Sequence, residues 1–184
     1  KEGAEIVLTI AGNDESDYGE MCKQYVVKHH LEEMVNIVGF QKDVESLLIS
    51  NDCLLCVSER ESFPRSIVEA MSYDLTIIST PVAGIPELLH DGENAYICKD
   101  YSVCSVKRKI CEYIKDIDSS KLYRIRENAR NTWKDNFDKN VVFNQLCSMY
   151  KKMLDNANGD KYEQESYSIL ESDIMKISEE NVDI

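Results

Sequence analysis

From Cys53 to Met71 the chain reads Cys53-Leu54-Leu55-Cys56-Val57, then, after three polar residues, Glu61-Ser62-Phe63-Pro64-Arg65-Ser66-Ile67-Val68-Glu69-Ala70-Met71. The five-residue apolar run predicts a buried strand, and the residues after Pro64 predict a helix, so a loop carrying Glu61 joins the two. Ser62 reads as the N-cap, with Pro64 in the first turn, where its missing N–H has no helical partner to lose. The amides of Phe63, Arg65 and Ser66 would then point out of the loop. A helix start at the carboxyl end of a strand favours anions, phosphate above all, through its free donors and the helix dipole.

The two acids have different settings. Glu61 lies in the loop and Glu69 nearly two turns into the helix. One reading makes them ordinary surface acids. Arg65 argues against it, because a cation in the first turn opposes the dipole unless Glu61, Glu69 or a ligand phosphate is its partner.

Outward from this stretch, strands and helices alternate. Residues 6–11 (Ile-Val-Leu-Thr-Ile-Ala) predict a near-continuously apolar, buried strand ending at Gly12. A helix over 17–30 follows, with Met21, Tyr25, Val26 and His29 as its core face. Val35–Val38 predicts a strand that breaks at Gly39-Phe40, and Asp43–Ile49 a short helix with Leu47 and Leu48 inward. Beyond the central helix, 75–79 predicts a β-branched strand and 95–98 the last one, preceded by the Asp91-Gly92 turn and an exposed His90. Gly84, in the loop from Thr80, reads either as a position that needs unusual dihedrals or close approach to a ligand, or as only a turn. Helical periodicity fills 102–154 with three apolar faces. They are Val103, Val106, Ile110, Tyr113 and Ile114; then Leu122, Ile125 and Ala129; then Val142, Phe143, Leu146, Met149, Tyr150 and Leu154. Alternating strands and helices predict an α/β fold with a parallel sheet and a ligand outside its carboxyl edge.

Composition narrows the function. With 184 residues and a net charge of −13, the chain lacks the basic face that non-specific nucleic-acid binding requires. No apolar run reaches membrane-spanning length, and a cytoplasmic location is expected. The seven cysteines are scattered, and the Cys53-x-x-Cys56 pair lies inside an apolar strand with no second pair or His cluster, so reduced core thiols are expected and no metal site. Residues 155–184 carry nine acids against two lysines, a net of −7. They are expected to form a separate acidic tail after a domain over 1–154, either disordered or a docked amphipathic helix built on Ile169, Leu170, Ile174, Met175 and Ile177.

The spacing of Glu61 and Glu69 before Ala70-Met71 resembles the paired-glutamate motif of retaining glycosyltransferases with the two-domain GT-B fold, family 4 in particular. The resemblance extends, in order, through Val35-Asn36-Ile37-Val38-Gly39-Phe40, Asp43-Val44-Glu45-Ser46-Leu47-Leu48, Ser79-Thr80-Pro81-Val82-Ala83-Gly84-Ile85-Pro86-Glu87 and Asp91-Gly92-Glu93-Asn94. It implies a Rossmann-like, carboxyl-terminal donor-binding domain that transfers a sugar from a nucleotide-diphosphate sugar to an acceptor hydroxyl, with no cofactor or metal required. Glu69 would then hold the donor's ribose hydroxyls and Glu61, the catalytic-site acid, the donor sugar's hydroxyls. The stretch Ser62, Phe63, Pro64, Arg65 and Ser66 would position the sugar phosphate, and Phe40 and Gln41 would lie against the base, Phe40 having plain core packing as its alternative.

The resemblance further implies that an acceptor-binding amino-terminal domain, able to bring peripheral membrane association, and a first strand carrying diphosphate-binding cations lie upstream. By that reading the chain alone is inactive, and its sheet has a gap between the strands at 6–11 and 53–57. The sequence departs from the family pattern at Ser62, Asp74 and Ala95, where glycine is usual. A non-catalytic nucleotide-sugar-binding or regulatory module, and a nucleotide-sugar epimerase of the same fold, are the alternative functions.

Overall fold

A computed structural model of the chain describes residues 6–62 and 64–157. The expectation for the acidic tail falls almost wholly outside them. The elements run β1 (Leu8–Ala11), α1 (Asp17–Lys28), β2 (Val35–Gly39), α2 (Val44–Ile49), β3 (Cys53–Cys56), α3 (Arg65–Ser72), β4 (Thr76–Ser79), α4 (Ile85–Leu88), β5 (Tyr96–Ile97), α5 (Val103–Asp116), α6 (Ser120–Phe137) and α7 (Lys139–Ala157). The chain divides into two compact units, residues 1–133 and 134–184. All five strands belong to the first.

Every strand pairing is parallel, as the α/β reading requires. The strands form two sheets, β1-β2 and β3-β4-β5. β4 is the centre of the larger one, and all four of its residues are buried. Alternation along the strands separates two cores. On one face Cys56, Ile77 and the partly buried Leu54 meet Ile67, Ala70 and Met71 of α3, Ile85 of α4, Ala129 of α6 and Leu48 of α2. On the other, Ile78 and Tyr96 meet Leu122 and Ile125 of α6, with Cys53, Leu55, Val106, Ile110 and Tyr113 against them.

Four expectations are corrected by the packing. The α1 face is not a core face: no residue of α1 is buried, and Met21 and Tyr25 are exposed, Tyr25 lying instead against His29 at 4.2 Å. The smaller sheet gives α1 too little apolar surface to bury against, because β1 and β2 form a ribbon of two short strands. Val103 is 85% exposed, since it opens α5 ahead of the turn that reaches β5. Cys104 and Cys111 are exposed rather than core thiols, while Cys56 and Cys98 are buried, and all seven cysteines are free. α7 continues to Ala157, past the expected end at residue 154, and its Val142, Leu146, Met149 and Tyr150 are exposed.

The helix caps follow their sequence signals. Ser16, Asp43 and Ser102 each accept from the amide three residues on, satisfying one donor of each helix start. Among the described residues no helix is long and apolar enough to cross a membrane.

Candidate functional site

The loop after β3 is held from outside by the loop after β4. Cys56 C=O accepts from Thr80 N–H at 3.2 Å and from the Ser79 hydroxyl at 3.1 Å. Thr80 Oγ1 donates to Ser58 C=O at 2.6 Å, and Gly84 N–H donates to Ser62 C=O at 3.4 Å. Parallel strands place both loops at the same edge of the sheet, so hydroxyls at the end of β4 reach carbonyls at the end of β3.

On this support the Ser58 hydroxyl donates to Glu61 Oε1 at 3.0 Å, fixing a half-buried carboxylate that would otherwise swing free. Glu61 also faces the β3 terminus electrostatically: burial, and then the Glu61 charge, raise the Cys56 thiol above its ordinary value while hydroxyls oppose them. Glu69 is half-buried on α3, with Arg65 one turn before it. Arg65 Nη2 lies 3.8 Å from Glu69 Oε1 on a side chain 92% exposed, a pairing that holds the guanidinium only loosely.

The expected cap is corrected. Helix α3 begins at Arg65 with Pro64 itself as N-cap, extended at φ −75 and ψ 112, and no side chain caps it. Ser62 is exposed, and its carbonyl is turned to Gly84. Pro64 is buried and packs with Ile67, Ile85, Leu88 and Leu89, so apolar contact with α4 sets the helix entry in place of a hydroxyl cap. The consequence favours the anion reading: the amides of Arg65 and Ser66 open the helix with no capping side chain over them. Phe63 lies outside the described residues.

Phe40 and Gln41 follow β2, on the other sheet. Phe40 is 74% exposed, which overturns plain core packing for it, and Gln41 donates back to Val38 C=O at 2.5 Å. Gly84 adopts an ordinary helical conformation at φ −75 and ψ −2, and the left-handed residue of its loop is its neighbour Ala83 at φ 50. Asp74, expected as a departure from glycine, does occupy a left-handed position at φ 58. Sequence reading missed Ser58 and Thr80, whose roles come from a bond between loops 22 residues apart. A hydroxyl at the carboxyl end of each adjacent strand was the only available sign.

Among the described residues no three His, Cys, Asp or Glu side chains form a metal-holding group. The charges that matter are the two glutamates and Arg65 around an uncapped helix start, an arrangement suited to a ligand carrying both hydroxyls and phosphate.

Comparison with known proteins agrees with this architecture. A family model described as glycosyl transferases group 1 matches residues 1–132. The N-acetyl-alpha-D-glucosaminyl L-malate synthase of Bacillus anthracis is 33% identical over 147 residues, covering 78% of this chain and 38% of that protein. Among solved structures, the Anabaena protein Alr3699/HepE in complex with UDP and glucose matches at a TM-score of 0.70 and 25% identity, over 79% of this chain and 40% of that one. The C-terminal domain of the group 1 glycosyl transferase LpcC from Francisella tularensis matches at 0.58 and 25% identity, over 68% and 65%. The chain spans well under half the length of the curated relatives it matches.

Proposed function

The chain belongs to the group 1 glycosyl transferases, and we propose that it is the donor-binding half of a retaining enzyme that moves a sugar from a nucleotide diphosphate to an acceptor hydroxyl. In that reaction the bond between the anomeric carbon and the phosphate oxygen breaks, the nucleotide diphosphate leaves with the electron pair, and the acceptor oxygen bonds to the same carbon while its proton passes to the departing diphosphate. The chain's own groups bind and orient the donor. Glu69 accepts hydrogen bonds from the ribose hydroxyls. Glu61, steadied by Ser58, accepts from hydroxyls of the sugar undergoing transfer. The amides of Arg65 and Ser66, with the Arg65 guanidinium, meet the phosphate, where developing negative charge is stabilised by donors already in place. Exposed Phe40 offers a flat face for the base, with Gln41 beside it.

The observation that carries this reading is the pairing of an uncapped α3 start with carboxylates on both sides of it. The UDP and glucose held by the Anabaena protein make UDP the first nucleotide to try. Titration calorimetry of the 184-residue chain with UDP, GDP and ADP and their glucose or mannose forms tests it. The expected result is binding of one nucleotide, weakened at least tenfold by Glu69→Ala, with Glu61→Ala affecting the sugar form more than the bare nucleotide. Equal binding by wild type and Glu69→Ala overturns the assignment.

A further inference from the structure

At the edge of the larger sheet away from Glu61 lies a cavity of about 550 Å³ that the donor site does not use. Asp52 stands just before β3 and Thr76 opens β4, so both mark the amino ends of these parallel strands. Thr80, which braces the Glu61 loop, lies four residues beyond Thr76, about 13 Å along the chain of β4. The junction of α5 with α6 supplies the rest of the wall, with Tyr113 on the first helix and Arg126 on the second. The volume falls in the range of small-molecule sites, about 300–1,000 Å³.

The fold leaves the polar groups of this wall unanswered. Thr76 is 1% exposed, and its hydroxyl has no hydrogen-bond partner among the described residues. A buried hydroxyl in that condition costs stability, so its presence calls for an explanation. Alternation along β4 sets Thr76 on the face of Ile78, where Tyr113 and α6 pack. Arg126 donates from Nε to Asp74 C=O at 2.7 Å, while the Asp74 carboxylate faces Arg130 at 3.9 Å. A neutral oxygen therefore orients the Arg126 guanidinium, and no acid pairs with it among the described residues. Asp52 is engaged through its carbonyl, which accepts from Thr76 N–H at 3.0 Å, and its carboxylate lies on an exposed residue. Tyr113 feels both charges. Burial above all pushes its phenol up to about 12, with Asp52 adding to the rise and Arg126 opposing it. That phenol is a hydrogen-bond donor at neutral pH.

We propose that this cavity binds a free α-amino acid with an apolar or aromatic side chain. The ligand's carboxylate meets the Arg126 guanidinium and the hydroxyls of Thr76 and Tyr113, a set of donors with one charge among them. Its ammonium meets Asp52. Its side chain lies against Ile117 and Tyr123, which also line the cavity. The pairing of signs selects a zwitterion. A simple anion would face the carboxylates of Asp52 and Asp118, and a simple cation would face Arg126. No residue is shared with the donor site, so the inference stands independently of it.

The test is an amide NMR titration of the isotope-labelled 184-residue chain with L-phenylalanine, L-tyrosine, L-leucine and L-isoleucine. At least one is expected to bind with a Kd on the order of 1 mM, and the shifts should centre on residues 52, 76 and 113–126, leaving 58–62 unmoved. The N-acetyl derivative of that amino acid lacks the ammonium, and its amide lacks the carboxylate. Each should bind at least tenfold more weakly. Asp52→Asn, on an exposed side chain, and Arg126→Lys should each weaken binding at least tenfold, while Glu69→Ala should leave it unchanged. Thr76→Val should weaken it several-fold yet leave the unliganded protein as stable as wild type or more so, because it removes a buried hydroxyl without a partner. The proposal is overturned if none of the four amino acids binds at up to about 20 mM or if the two derivatives bind as well as the parent. Shifts centred on 58–62, or an affinity that folded Asp52→Asn leaves unchanged, overturn it too.

Discussion

The phenol of Tyr96 donates to the Asp116 carboxylate at 2.9 Å, joining the fully buried ring of the last strand to the end of α5. From there the charges form a chain. Lys121 lies 2.7 Å from Asp116 and 3.0 Å from Glu112, and Lys109 lies 2.9 Å from Glu112 and 2.8 Å from Asp91. β5 has only two residues, so this network, and not the length of its ladder, holds it against α5 and α6. Tyr96→Phe should lower stability by about 1–2 kcal/mol, measured by urea unfolding. Asp116 keeps Lys121 in that variant, which limits the loss.

The same network sets a pH dependence with a definite sign. Asp116 is held below the usual carboxylate range chiefly by its bond to Lys121, and Glu112 by its bond to Lys109. A carboxylate with a depressed folded value stabilises at pH above its unfolded value and loses that contribution as pH falls through the folded one. Unfolding midpoints should therefore drop as pH falls below about 4. Asp116→Asn with Glu112→Gln should flatten that arm. Lys121 is raised by Asp116 and Glu112. For Lys109 burial pushes down, but its bonds to Asp91 and Glu112 outweigh it. Their contribution is complete below about 10.4 and fades as pH rises through the raised folded values.

Of the four described non-glycine residues in left-handed conformations, Ala83 and Asp74 give different forecasts. Ala83, at φ 50, bears its strain next to the Glu61 loop. Ala83→Gly should leave stability unchanged or raise it by up to about 1 kcal/mol. Asp74, at φ 58, is of a residue type that tolerates the region, and its carbonyl accepts from Arg126 Nε at 2.7 Å. Asp74→Gly should lie within about 0.5 kcal/mol of wild type, while Asp74→Ala should cost about 1 kcal/mol. Thermal melts of the three variants check both.

Thiol chemistry should sort the cysteines into classes. Cys104 and Cys111 are exposed and should react with a disulfide reagent at native pH within the mixing time. Burial pushes the Cys53 thiol up to about 12 and raises Cys56 and Cys98; the buried Cys56 and Cys98 should react only on unfolding, and the half-buried Cys53 more slowly than Cys104 and Cys111. Fast labelling of Cys53 would show that β3 opens locally.

Thr80→Val keeps the shape of a buried side chain and deletes its bond to Ser58. It should cost about 1 kcal/mol and weaken nucleotide-sugar binding several-fold, read by the same calorimetry as Glu69→Ala. Unchanged affinity would mean that the Glu61 loop holds its form without β4.

Much of this was legible in the chain. The strands are short apolar runs between polar turns, and each appeared within one or two residues of its place; Asp43 and Leu48 behave as their positions suggest. The misses share a cause. Met21 and Tyr25 have helical periodicity but no partner surface, and periodicity reports only that a face is apolar. Ser62 is a good capping residue, yet the contact of Pro64 with Ile85 and Leu89 decides where α3 begins. The strained position fell on Ala83 rather than Gly84 because the turn conformation is fixed by the bond from Gly84 to Ser62, between loops distant in sequence.

That bond, with the one from Thr80 to Ser58, means that residues 58–62 and 80–84 behave as one mechanical part. Changes in the two segments should be non-additive, since each sets the shape against which the other is judged. Anyone altering this protein's ligand preference would have to vary both segments in one library. Randomising either alone would sample conformations that the unchanged partner forbids.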